Sequence, residues 1–295
     1  MLILLTGAGG FLGRATRAAA EARGHDIRPL TRAEGDLAEG LPPGALDGVD
    51  AVIHCAAAMD SARAARDTVQ ATLSLLRAME GHPARLVLAG SIGVHGGVQG
   101  GGPALVEEET PLEPDPRGRD AYSRAKIAQE GMVRAEAAAS GRAATILRLG
   151  ALWDETHLSN AHLGLAAGPI LLRLGGRGEV PLLHVADAAE ALVRAAEREA
   201  PGLRLYTAVG DDLPDRAACI RALRRATGWP RLALPLPWRL LDEAAPLLAR
   251  IPRLGPRLPG LLRRATLRAR FAPARYANAR LKETGWRPKH GVGDR

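Results

Sequence analysis

Tyr122 and Lys126, in the segment Tyr122-Ser-Arg-Ala-Lys126, stand four residues apart, a spacing that puts a phenol and an ammonium on one face of a helix. A phenol with an ordinary pKa of about 10 is a poor acid or base at neutral pH, and an adjacent positive charge favours its ionised form. Lys126 is therefore expected to lower the pKa of Tyr122, leaving the phenol able to exchange a proton with a substrate oxygen. Ser91, 31 residues upstream at the end of an expected strand, can hydrogen-bond that same oxygen and stabilise charge developing on it.

A second constellation opens the chain. Thr6-Gly-Ala-Gly-Gly-Phe-Leu-Gly13 places Gly7, Gly10 and Gly13 between the apolar run Met1 to Thr6 and a helical pattern from Phe11 to Arg23. Glycines suit a backbone that must turn sharply and approach a pyrophosphate closely, and the free amide N–H groups at the helix start face the anion. The expected ligand is a dinucleotide, and hydride transfer becomes the chemistry that Ser91, Tyr122 and Lys126 would serve. The second strand closes on Leu30-Thr31-Arg32. A neutral residue followed by Arg32 favours the 2'-phosphate of NADP over the free ribose hydroxyls of NAD, with NAD left open.

These residues need a scaffold. Asp26 to Leu30 follows the first helix as a strand, Ala51 to Cys55 resumes the sheet after a glycine- and proline-rich stretch, and Arg85 to Ala89 and Ala144 to Arg148 add two more. Helical spacing covers Ser61 to Glu80 and Tyr122 to Ser140. Strand and helix alternate, which predicts an α/β fold with a doubly wound parallel sheet of the Rossmann type. Helices are also expected at Val185 to Arg198, Asp215 to Thr227 and Trp238 to Arg250. The expected organisation is a dinucleotide-binding part over 1–150 and a mainly substrate-binding region over 151–295, some of whose segments return to the core.

Composition narrows the class. Of 295 residues 46% are hydrophobic and 24% charged, as in ordinary folding domains. Cys55 and Cys219 form no CxxC pair, so neither a disulfide framework nor a zinc site is indicated and a reducing cytoplasm is expected. The formal net charge of +8 is spread along the chain without aromatic interleaving or a nucleic-acid motif, so no nucleic-acid role is expected. No apolar run is long enough to span a bilayer, and the first residues enter a strand directly, leaving no room for a signal peptide.

The wording Thr6-Gly-Ala-Gly-Gly-Phe-Leu-Gly-Arg14, with Tyr122-Ser-Arg-Ala-Lys126, resembles the extended branch of the short-chain dehydrogenase/reductase superfamily, the NAD-dependent epimerase/dehydratase family. The likeness continues through Ala89-Gly-Ser-Ile-Gly-Val-His-Gly96, Pro181-Leu-Leu-His-Val-Ala-Asp187 and Thr284-Gly-Trp-Arg-Pro288. It implies backbone contacts from Phe11 and Leu12 to the pyrophosphate, an adenine contact from Asp36-Leu37, and room for ribose and diphosphate beside Ala56 and Ala57. It also implies that Lys126 holds the nicotinamide ribose, that Ser91 is the catalytic Ser/Thr, and that two copies pair through the long helices at 61–80 and 122–140. His54 is expected to be an oriented core histidine, and His184 to be architectural though near the cleft. Two departures stand out: Thr68 where the family commonly has Asn, and Leu149 where it has Pro. The region 238–270 resembles 3β-hydroxysteroid dehydrogenase-like reductases. The expected reaction is hydride transfer between nicotinamide and a small hydroxyl or ketone substrate. A sugar-nucleotide epimerase and a non-catalytic dinucleotide sensor stand as alternatives.

Overall fold

The computed structural model describes residues 1–59, 62–96, 104–176, 178–199, 201–250 and 259–292. In chain order the elements are β1 (Leu2–Thr6), α1 (Phe11–Ala22), β2 (Asp26–Leu30), β3 (Ala51–His54), a π-helical turn (Ala65–Gln70) running into α2 (Ala71–Ala78), β4 (Arg85–Ser91), β5 (Ala104–Val106), α3 (Ala121–Ser140), β6 (Ala144–Leu149) and β7 (Ala151–Trp153). There follow β8 (Gly164–Ala167), β9 (Ile170–Leu174), β10 (Leu182–His184), α4 (Val185–Glu197), β11 (Leu203–Ala208), α5 (Arg216–Thr227), β12 (Leu232–Leu236), α6 (Trp238–Arg250), α7 (Arg264–Phe271), β13 (Ala274–Tyr276) and α8 (Ala279–Glu283).

Six strands pair in parallel in the order β11-β6-β4-β3-β1-β2. A sheet covered on both faces explains why its strands read as apolar runs instead of alternating patterns. Residues of α4, with Leu281 and Trp286, cover one face over Ile3, Leu5, Ile53 and Leu147, while residues of α2 and α3 cover the other over Leu4, Val52, Leu86 and Ile146. The alternation of strand and helix thus produces the doubly wound Rossmann architecture.

Of the helix expected over 61–80, Ser61 lies outside the described residues. Its described portion begins with the π-helical turn and ends at Ala78, with Met79 as its C-cap. The expected strands at 85–89 and 144–148 each extend further, to Ser91 and Leu149. Those extensions matter, because they carry the sheet to the rim where a parallel sheet binds its ligands. Residues after Gly150 supply β11 to the sheet and α4 to one of its faces, as well as the small sheets β10-β7 and β12-β9-β8. Among the described residues no helix is long and apolar enough to cross a membrane.

Candidate active site

The glycine turn is built on close approach. Gly7 adopts φ +70°, and a Cβ there would lie 2.8 Å from the Ala56 nitrogen; at Gly13 a Cβ would lie 2.1 Å from the Gly7 carbonyl oxygen. Gly10 is the N-cap of the 12-residue α1, whose first turn has neither a capping side chain nor an acidic residue. Its amide groups and the positive end of the helix are left for an anion. They open into a cavity of about 770 Å³ lined by Gly7, Gly10, Phe11, Leu12 and Gly13. This cradle fits a dinucleotide pyrophosphate, since any side chain at Gly7 or Gly13 would have to displace backbone. Gly13→Ala is accordingly expected to weaken NADPH binding by at least ~10-fold (about 1.4 kcal/mol). Fluorescence titration of folded variant checks this; unchanged affinity would remove the turn from the binding site.

At the carboxyl end of β2 the side chains are already engaged. The backbone N–H and the hydroxyl of Thr31 both donate to the Glu34 carboxylate. Arg32 pairs with Asp67 at 2.6 Å and Arg66 reaches the same carboxylate at 3.1 Å. Asp36, expected at the adenine, accepts from Arg66 at 2.5 Å, and Leu37 is buried in the core against α2. Neither Asp36 nor Leu37 lines the cavity, and neither do Thr31, Arg32 or Ala56, whereas Ala57 and Cys55 do.

The far wall carries the residues expected to handle a proton. Asp120 caps α3 by accepting from the Ser123 backbone at 3.0 Å, which fixes the first turn that bears Tyr122. Ser91, Tyr122 and Lys126 line the same cavity as the glycine turn. Ser91 Oγ accepts the Gly93 N–H at 3.0 Å. The Lys126 ammonium donates to the Ala89 carbonyl and to Gln129 Oε1, each at 2.8 Å.

The electrostatics differ from the expectation that Lys126 depresses the phenol. Burial pushes Tyr122 above its ordinary value, opposed by the Ser91 hydroxyl and the charge of Arg270. Desolvation outweighs charge here, and the guanidinium that acts on the phenol comes from α7. Burial also brings Lys126 down to about 8. Arg270 lies 3.7 Å from Asp120, and Thr266, also on α7, accepts the Asp120 N–H at 2.9 Å. Arg270, Thr266 and Gln129 were not singled out in the sequence. YxxxK pointed to the helix that carries Gln129, but nothing local marked any of the three.

The remaining motif residues are structural in their contacts. His54 is buried, with Nδ1 2.7 Å from Thr6 Oγ1, and burial together with the Lys126 charge lowers it to about 3. Thr68 spends its hydroxyl on the Ala58 N–H at 2.9 Å. Leu149 lines the cavity. His184 caps α4, stacks on His290 at 4.0 Å, and is absent from the cavity lining. Asp187 accepts from the backbones of Lys289 and His290, and its carbonyl accepts from Trp286 Nε1 at 3.0 Å, so the two downstream motifs clamp one another. His184, Asp187 and His290 have donor atoms within 4.8 Å of one another, but the Asp187 carboxylate is already engaged by the Lys289 and His290 backbones and by His290 Nδ1 at 2.9 Å.

The sequence profile described as the NAD dependent epimerase/dehydratase family matches residues 3–206. A 3-diazoavenalumate denitrifying reductase from Streptomyces sp. is 32% identical over 322 residues, which cover 98% of this chain and 97% of that protein. Among solved structures, gox2253 superposes with a TM-score of 0.76 at 22% identity, covering 99% of this chain and 94% of that one. UDP-glucose 4-epimerase from Bifidobacterium longum, in complex with NAD+ and UDP, gives 0.69 at 18% identity, covering 100% and 95%. At these identities the two structures show the fold.

Proposed function

The chain belongs to the NAD-dependent epimerase/dehydratase family, and from that premise we propose that it transfers hydride between the nicotinamide of NADP and a small hydroxyl or ketone substrate. It is an NAD(P)-dependent enzyme of the oxidoreductase and epimerase kind. The observation that carries the proposal is one continuous cavity with an anion-binding glycine turn at one end and Ser91, Tyr122 and Lys126 on its wall.

When bound, the dinucleotide supplies or accepts the hydride. Gly7, Gly10 and Gly13 hold the pyrophosphate, with Phe11 and Leu12 presenting backbone amides. Lys126, with two of its protons given to Ala89 and Gln129, directs the third at the nicotinamide ribose. Ser91 holds the substrate oxygen, and Tyr122 passes it a proton. A phenol kept protonated by burial suits a general acid, which favours the reductive sense. The relative at 32% identity is likewise named a reductase.

Arg32 at the end of β2 supports NADP over NAD, with Asp67 as the carboxylate it would exchange for a 2'-phosphate. A charge-assisted hydrogen bond contributes about 1.5–3 kcal/mol, so NADPH is expected to bind about 10–100-fold tighter than NADH, and Arg32→Ala to erase most of that difference. Separate fluorescence titrations with the two cofactors check it; a clear NADH preference in the wild-type protein contradicts it. The reaction itself is tested by following NADPH oxidation across a panel of small ketones, with UDP-glucose in parallel. Turnover of a ketone supports the proposal. Epimerisation of the UDP-sugar without net NADPH consumption would replace it.

A further inference from the structure

Behind the cavity wall, Lys126 joins a buried polar chain that the reaction as described does not use. We propose that Gln129 is a positioning residue that fixes both the direction and the charge of the Lys126 ammonium; this rests on Lys126 holding the cofactor ribose.

The geometry leaves Gln129 one orientation. Its side chain is fully buried, with Oε1 2.8 Å from Lys126 Nζ, and Nε2 2.8 Å from Thr72 Oγ1 and 3.1 Å from His54 Nε2. An ammonium can only donate, so the atom facing it must be the amide oxygen. The amide NH2 then faces Thr72 and His54. Thr72 gives its single proton to the Thr68 carbonyl at 2.6 Å, so its oxygen accepts from Gln129. The same Thr72 oxygen lies 2.9 Å from His54 Nε2, and the His54 ring is held on its other side by Thr6 Oγ1, 2.7 Å from Nδ1. Turning the amide over would set donor against donor at Lys126 and leave the Thr72 oxygen, with no second proton to give, facing another oxygen. The threonine therefore locks the amide, and the amide locks the lysine.

That lock has a purpose. A lysine has no preferred direction of its own, being a point charge on a flexible stem with three rotatable donors. The Ala89 carbonyl and Gln129 take two of those donors and leave the third for the cavity. Gln129 is also the side-chain acceptor that stabilises the charged ammonium against burial. The titratable groups facing Lys126 are His54 and Cys55 from the end of β3 and Tyr122 on its own helix. His54 is lowered to about 3, Cys55 raised to about 12 and Tyr122 raised from 10.0. Of this set only Lys126, at about 8, titrates in mildly alkaline solution.

The experiment measures the dissociation constant of NADPH between about pH 7 and 9.5 for wild type, Gln129→Leu, Gln129→Glu and Lys126→Met. Wild-type affinity should hold below pH of about 8 and weaken above it, as the ammonium loses its proton. Losing the acceptor in Gln129→Leu should move that weakening down by about one pH unit, and a carboxylate in Gln129→Glu should move it up by about one. A role confined to packing would give no such opposite displacement. The proposal is overturned if both midpoints stay at the wild-type value or move in the same direction. Should Gln129→Leu fail to fold, Gln129→Glu decides alone, since an unmoved or lowered midpoint also overturns it. If Lys126→Met keeps the wild-type pH dependence, the cofactor placement itself fails, a result distinct from failure at Gln129.

Discussion

Tyr122→Phe is expected to lower turnover by ~10²–10⁴-fold, the range that a positioned general acid supplies, while leaving NADPH affinity within about twofold, because a lost group that acts on the transition state lowers kcat without altering cofactor binding. The substitution removes one oxygen and keeps the ring, so α3 and its Asp120 cap should be undisturbed. The Ser91 hydroxyl remains on the wall, held by the Gly93 N–H. Stopped-flow oxidation of NADPH with the acceptor found by the ketone panel measures kcat, and a fluorescence titration measures binding. A catalytically silent dinucleotide sensor would show binding without turnover in both proteins. Unchanged turnover in Tyr122→Phe would remove the phenol from the mechanism.

Glu130→Ala is expected to cost about 3–5 kcal/mol of stability, the price of leaving a buried charge without its partner. Glu130 is fully buried on α3 and holds Arg148 of β6, which is 1% exposed, by hydrogen bonds of 2.7 and 3.2 Å. The pair fastens the helix bearing Tyr122 and Lys126 to the sheet one turn beyond Lys126. Burial would raise the Glu130 carboxyl, but the hydrogen bonds from Arg148 and Arg134 prevail and hold it below its ordinary 4.5. The pair's contribution is therefore complete above that ordinary value and is lost as pH falls through the lower folded one. Urea denaturation at pH 7 and again in acid checks both parts. The gap between wild type and variant should narrow in acid, and an equal midpoint at pH 7 would show that the pair does not hold the helix.

Much of this was legible because it is local. Gly7, Gly10 and Gly13 announce a tight strand-to-helix turn, and Tyr122 with Lys126 needs only helical spacing to share a face. The helices at 185–197, 216–227 and 238–250 were readable from apolar periodicity, and Asp215 proved to be the cap of its helix. What stayed hidden depends on contacts far apart in sequence. Gln129 gains its meaning from His54, 75 residues away, and Thr266 from Asp120, 146 residues away. Three-residue strands such as β5, β7 and β13 are too short to carry a periodicity. The sign of the shift at Tyr122 differs from the expectation because spacing reveals a neighbouring charge but not the burial that outweighs it.

The most direct test of the account is a crystal structure with NADP+ bound. The account predicts the pyrophosphate on the amides of Phe11 to Gly13, the ribose within reach of Lys126 Nζ, and the nicotinamide ring facing the hydroxyls of Tyr122 and Ser91. A nicotinamide lying elsewhere, with the Tyr122 hydroxyl turned away from it, would contradict the hydride-transfer assignment.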